Sequence, residues 1–223
     1  MNKKIVTFVH TEYHLLLFIN LLINEEETGE NNEHILFIRG QGKFRIPLDL
    51  NFSELNIDIR YISEVFKPDI PLNQKSQKVL DELFEIKPNQ LIFFQEMDLL
   101  MHILSDQWKE KYNTKISLYQ DGLKPYSILK YNSLSLVKYF HMTNVWLRKN
   151  SFNVSSIFSP FWSHRYAFIK NIDEIFLTFP ENYINWNNKT VKRIEFLNTK
   201  KLKSKLNIIF NWNNLYLPIN ENI

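Results

Sequence analysis

Apolar residues along the chain fall into short runs, separated by segments in which they recur at roughly helical spacing. Lys4 to His10 is a compact run of strand length, and Tyr13 to Asn24 follows it with a helical pattern. His34 to Arg39 is a second strand-like run closed by Gly40, and Ile57 to Ile62 alternates as a third. Asn73 to Ile86 reads as a helix stopped by Lys87 and Pro88, Asn89 to Phe94 as a fourth strand, and Met97 to Tyr112 as a helix. Lys115 to Tyr119 is a fifth strand, ended by Gln120-Asp121-Gly122, and Glu174 to Phe179 a sixth. Strand-like runs alternating with helical segments predict βαβ units and a parallel sheet. Most of the runs are apolar throughout, as strands are when helices cover both faces of their sheet. The predicted fold is α/β, a Rossmann-like doubly wound parallel sheet over residues 1–180.

The rest of the chain is less regular. Ser127 to Lys138 has helical character, Tyr139 to Arg148 is aromatic-rich, and Ser155, Ser156, Ser159, Pro160 and Ser163 mark a loop. Residues 181–223 are rich in Asn and Lys and read as a linker or the start of a truncated second lobe.

The sequence has 223 residues, 44% of them hydrophobic, enough to bury a core without cross-links. It contains no cysteine, which removes disulfides, thiolate nucleophiles and Cys-ligated zinc from consideration and fits a reducing compartment. A net charge of +3 gives no support for nucleic-acid binding. The charge is nevertheless uneven. Glu25, Glu26, Glu27, Glu30 and Glu33 form an acidic cluster, and Lys192, Arg193, Lys200, Lys201, Lys203 and Lys205 a basic one. Met1-Asn2-Lys3-Lys4 resembles the start of a signal peptide, but His10, Thr11, Glu12 and His14 interrupt the apolar run behind it, so the chain is read as unsecreted and cytoplasmic.

In open α/β sheets, ligands lie beyond the carboxyl ends of the strands. That rule selects His10-Thr11-Glu12-Tyr13-His14, Arg39-Gly40-Gln41-Gly42, Gln95-Glu96-Met97-Asp98 and Gln120-Asp121-Gly122. From these, His10, Thr11, Tyr13, Gln95, Glu96, Gln120 and Gly122 are the candidate substrate contacts. Gly29, Gly40, Gly42 and Gly122 are the only glycines, and none builds a dinucleotide fingerprint after the first strand. Gly40-Gln41-Gly42-Lys43 is a weak phosphate-loop candidate. Asp121 before Gly122 can stand as a carboxylate at the sheet rim and deprotonate a hydroxyl, or it can simply open a tight turn. His10 and His14 have a spacing that suits zinc on a helix, but His10 is expected on the strand and no third ligand is evident, so no metal is expected. Glu96 and Asp98 can bond acceptor hydroxyls or serve as exposed acids at a helix start. Trp146, Trp162 and Trp186 can stack on sugar rings or fill the core.

Leu118-Tyr119-Gln120-Asp121-Gly122-Leu123-Lys124-Pro125-Tyr126 resembles a motif of bacterial sialyltransferases and polysialyltransferases, in which an apolar strand ends in two acids and a glycine. Phe8-Val9-His10-Thr11-Glu12-Tyr13-His14-Leu15-Leu16 is similar to the first strand and loop of glycosyltransferase family 52. Phe93 to Glu96 and Ile175 to Pro180 also look like segments of this group. The resemblance implies that Asp121 is the general base, taking a proton from an acceptor hydroxyl. Gln120 departs from the family's first acid.

The resemblance further implies a GT-B architecture of which this chain is the first half. It implies an inverting, metal-independent transfer from a nucleotide sugar, CMP-sialic acid, to a lipooligosaccharide or capsular glycan. No cofactor is expected beyond that donor. The family's phosphate-binding His-Pro pair is absent, and no histidine follows His164, so the donor-binding lobe is expected to be missing. The expected partners are a glycan acceptor, a nucleotide sugar, the inner face of the membrane through the basic stretch, and a second copy of the chain. Two alternatives stay open: a non-catalytic glycan-binding or assembly domain, and an unrelated Rossmann-like module that binds a nucleotide or a protein.

Overall fold

The computed structural model describes residues 2–39, 57–96, 98–126, 133–152, 166, 167, 169–184 and 188–196. Gly40, Gln41, Gly42, Lys43, Met97, Trp162, Trp186 and the lysines at 200, 201, 203 and 205 lie outside the described residues.

Strand β1 (Lys4–Val9) leads into helix α1 (Glu12–Thr28), followed by β2 (Glu33–Arg39) and β3 (Ile57–Ile62). Helix α2 (Gln74–Phe84) returns to β4 (Gln90–Phe93), α3 (Leu99–Tyr112) to β5 (Lys115–Tyr119), and α4 (Ser133–Lys149) precedes β6 (Glu174–Leu177) and β7 (Thr190–Arg193). All seven strands are parallel, in the order β3-β2-β1-β4-β5-β6-β7. The fold is the expected Rossmann-like sheet. The order reverses between β1 and β4, which makes the crevice above those two strands the topological switch point.

Alternation along each strand feeds two cores. Val6 and Phe8 of β1, with Ile35, Phe37, Leu91 and Phe93, face α2, α3 and α4. Ile5 and Val9, with Leu36, Ile38, Ile92 and Phe94, face α1. Apolar runs were therefore a correct sign of a sheet covered on both sides. The edge strands β3 and β7 are the ones with exposed alternate residues.

Caps set the helix limits. Thr11 accepts a hydrogen bond from the His14 amide at the start of α1, and Gly29, at φ 72°, ends it in the left-handed conformation that glycine tolerates best. The helix thus runs past Asn24 to the first residue able to stop it. Asp98 caps α3, which begins at Leu99 and not at Met97 because the capping residue stays extended. The helix expected over 127–138 instead spans Ser133–Lys149, taking in the aromatic segment whose Trp146 and Leu147 reach the core.

One strand was not expected. Residues 190–193, read from the sequence as linker or second lobe, form β7 beside β6. Behind it Ile194 enters the α1-side core, and Asn20 and Asn24 of α1 both donate to the Glu195 carbonyl at 2.8 and 2.9 Å. The sheet therefore extends past residue 180. At the opposite rim, the buried Glu174 carboxylate joins Lys115, Lys192 and Ser117 across β5, β6 and β7. Among the described residues, no helix is long and apolar enough to cross a membrane.

Candidate functional site

Strand β5 ends at Tyr119, and the next two residues carry the site. Its neighbour β6 runs parallel to it, so Gln120-Asp121-Gly122 is no hairpin turn. Gly122 has φ 56°, and the chain turns there into a short 3-10 segment at Lys124–Tyr126. The turn leaves Asp121 at the carboxyl end of the sheet with its side chain one-third exposed (33%).

Asp121 Oδ1 lies 3.2 Å from His14 Nε2. His14 is fully buried, stacked on Phe94 with ring centroids 4.3 Å apart. Its other nitrogen, Nδ1, accepts the backbone N–H of His10 at 3.2 Å. A backbone amide can only donate, so Nδ1 carries the lone pair and Nε2 the proton. Burial holds the His14 imidazole below the usual histidine range, only partly countered by Asp121. The ring is thus a neutral donor aimed at the carboxylate. Of the two residues only Asp121 reaches solvent, so Asp121 can meet a substrate and His14 orients it.

A second carboxylate lies at the switch point. Asp98 receives His10 Nε2 at 2.9 Å and Arg39 Nη1 at 2.7 Å, and it caps α3 through the Leu100 amide. All three side chains are at most 8% exposed. Burial would raise the Asp98 pKa, but the Arg39 guanidinium and the His10 bond outweigh it and hold the carboxyl below the usual aspartate range. Arg39 also donates to the Glu64 carbonyl, tying the segment after β3 to β2. Asp98 is therefore not the exposed acid expected from the sequence. It is spent on three internal partners.

Gln120 is a clamp between two loops. Its Oε1 accepts the Tyr126 hydroxyl at 2.7 Å and the Thr178 amide at 2.8 Å, and Tyr126 in turn accepts the Phe179 amide at 2.9 Å. Its amide nitrogen reaches the Tyr13 hydroxyl at 3.5 Å. Burial, then Tyr126 and Asp121, push the Tyr13 hydroxyl pKa up, so it remains a protonated donor. At 5% exposure, a glutamine makes these bonds without placing a second negative charge beside Asp121. Replacing Tyr126 by Phe removes one hydroxyl from this chain of bonds. We expect a loss of about 1 kcal/mol in urea unfolding.

The remaining expected contacts are divided. Thr11 caps α1 and Tyr13 lies in its first turn beside His14, while His10 is held by Asp98. Glu96 is fully buried, its carboxylate accepting the amides of Ala167 and Ile169 at 2.8 and 3.3 Å, so it anchors that segment. Gln95 is half-buried at the end of β4. Trp146 is no exposed platform: it is 6% exposed and donates its indole N–H to the Ile70 carbonyl at 2.7 Å. His10 and His14, centroids 6.0 Å apart, turn to different carboxylates. The strand-end rule picked out Arg39, but not as a contact residue; the structure makes it a site-building one, paired with Asp98 and bonded to the Glu64 carbonyl. Sequence reasoning missed the apolar rim beside Asp121, where Leu123 and Phe179 are 77% and 50% exposed.

No protein-family model matches the chain, and no curated protein matches it. Among solved structures, the sialyltransferase from Photobacterium damsela is similar over 93% of this chain, with 14% identity and a TM-score of 0.37. The chain spans 40% of the length of that protein.

Proposed function

We propose that this chain is the acceptor-side half of an inverting, metal-independent glycosyltransferase of the sialyltransferase type, with Asp121 as its general base. The observation that carries this reading is a solvent-reaching carboxylate at the end of a parallel strand, oriented by the proton of a buried, neutral histidine. It stands in the segment whose sequence resembles the sialyltransferase motif.

In the reaction, the acceptor hydroxyl gives its proton to Asp121 as its oxygen attacks the anomeric carbon of the donor. The bond from that carbon to the nucleotide phosphate breaks, and the phosphate leaves with the electron pair. A positioned base of this kind contributes on the order of 10²–10⁴ in rate. Tyr13, protonated and next to Gln120, is placed to donate to an acceptor oxygen. Leu123 and Phe179 offer apolar surface to the C–H face of a sugar ring. The donor site belongs to a second lobe, CMP-sialic acid is the donor, and a surface glycan made at the inner face of the membrane is the acceptor.

The test is a donor screen. The intact protein is mixed with CMP-sialic acid or other nucleotide sugars and a panel of surface-type oligosaccharides, and nucleotide release is followed with product mass. We expect release of CMP coupled to a glycan heavier by one sialic acid. Glycan binding without nucleotide release from any donor would replace this reading by that of a non-catalytic glycan-binding domain.

A further inference from the structure

A cavity of about 520 Å³ opens between the segment after β3 and one face of α4, away from Asp121. Its volume falls within the range of small-molecule sites, about 300–1,000 Å³. One wall is built by Pro68, Asp69 and Pro71, the other by His141, Val145 and Lys149, which recur every fourth residue along the helix. The two walls are pinned together by the bond from the Trp146 indole to the Ile70 carbonyl. Two prolines with fixed φ stiffen the first wall.

Its chemistry is mixed in a particular way. Asp69 puts a carboxylate on one wall and Lys149 an ammonium on the other, and among the described residues no ion pair uses either. A ligand of either net charge meets a repelling group, whereas hydroxyls can donate to Asp69 and accept from Lys149. Val145, half exposed at 49%, and the proline rings supply apolar faces between them. A neutral sugar unit presents this combination: hydroxyls at its edge and C–H groups on its face.

The location relates the cavity to the proposed reaction. Tyr139, on the same helix, lies within electrostatic reach of both Asp69 and Asp98, which puts the cavity on the Asp98 flank of the strand ends. Neither Asp121 nor its hydrogen-bond partner His14 lines the cavity, so a ligand that meets both the cavity and Asp121 is a chain of sugar units rather than one ring.

We propose that this cavity is a distal subsite for the acceptor, holding sugar units remote from the hydroxyl that reacts at Asp121. The inference rests on the glycosyltransferase reading for the identity of the ligand, and its test is separate. Affinities of defined neutral oligosaccharides, from disaccharide to octasaccharide, are measured by NMR titration on the intact protein, its Val145→Arg variant and its Asp121→Asn variant. Val145 is exposed, so arginine fills the cavity without disturbing the core.

The wild type should bind the longest oligosaccharides about tenfold more tightly than the disaccharide. Val145→Arg should lose that gain while keeping the disaccharide affinity. Asp121→Asn should keep the gain. Affinity independent of length, a gain that survives Val145→Arg, or no binding by the wild type overturns the subsite. Length-dependent binding lost in Val145→Arg, in a protein that transfers no sugar from any donor, sustains the subsite and ends the transferase reading.

Discussion

On the proposed reading, Asp121→Asn is expected to lower sugar transfer by about 10²–10⁴-fold while leaving thermal unfolding within a degree or two of the wild type. The isosteric amide still offers an oxygen to His14 Nε2 and still sits on the turn made by Gly122, so the site keeps its shape. It lacks only the basicity needed to accept a proton. Because the side chain is one-third exposed, losing its charge adds no buried, unpaired group. Initial rates of nucleotide release, measured beside melting curves, separate chemistry from folding. Turnover at the wild-type rate in a folded Asp121→Asn protein would remove Asp121 from the mechanism.

The largest stability effect is expected at Arg39. Its guanidinium and the Asp98 carboxylate are buried against each other, and removing one partner of such a pair typically costs about 3–5 kcal/mol, because the buried carboxylate then keeps only its bonds from His10 and the Leu100 amide. Arg39→Met, which keeps much of the side-chain volume, should show this loss in urea unfolding at pH 7. The gap to the wild type should narrow in acid. Asp98 has a folded-state pKa below its usual 3.8, so the stability it contributes is complete above that value and is lost as the pH falls through the folded-state pKa. His14 acts earlier on the same axis. Held below the usual 6.5 by burial, it binds fewer protons folded than unfolded, so wild-type stability should begin to decline as the pH drops below about 6.5. A loss under about 1 kcal/mol for Arg39→Met, the range of an exposed pair, would show that the two charges are not sealed from water.

The sheet was legible because its strands obey a two-sided rule: Val6 and Phe8 serve one core and Ile5 and Val9 the other, with the small Thr7 buried among them. Strand β7 was not legible, since Thr190, Lys192 and Arg193 stand at an open edge where packing asks little of the side chains. The site divided in the same manner. Asp121 and the loop after β1 drew attention because each follows a largely apolar strand. The inward turn of Glu96 could not be found, because its partners are backbone amides of residues 167 and 169, far along the chain and chemically silent in the sequence. Nor could Gln120 be recognised as a clamp. Its bonds to Tyr126 and Thr178 exist only once β6 lies beside β5.

The main chain at His10 decides more than the angle of a ring. With one nitrogen committed to that amide, His14 can lend its hydrogen toward Asp121 but has no vacant basic site on which to take one back. The interior is therefore a dead end for protons. If Asp121 is the base proposed above, the proton it collects must leave by the side from which it came, toward bulk water or departing product. The recovery of the base between turnovers would then respond to buffer strength and not to substitutions in the core behind it.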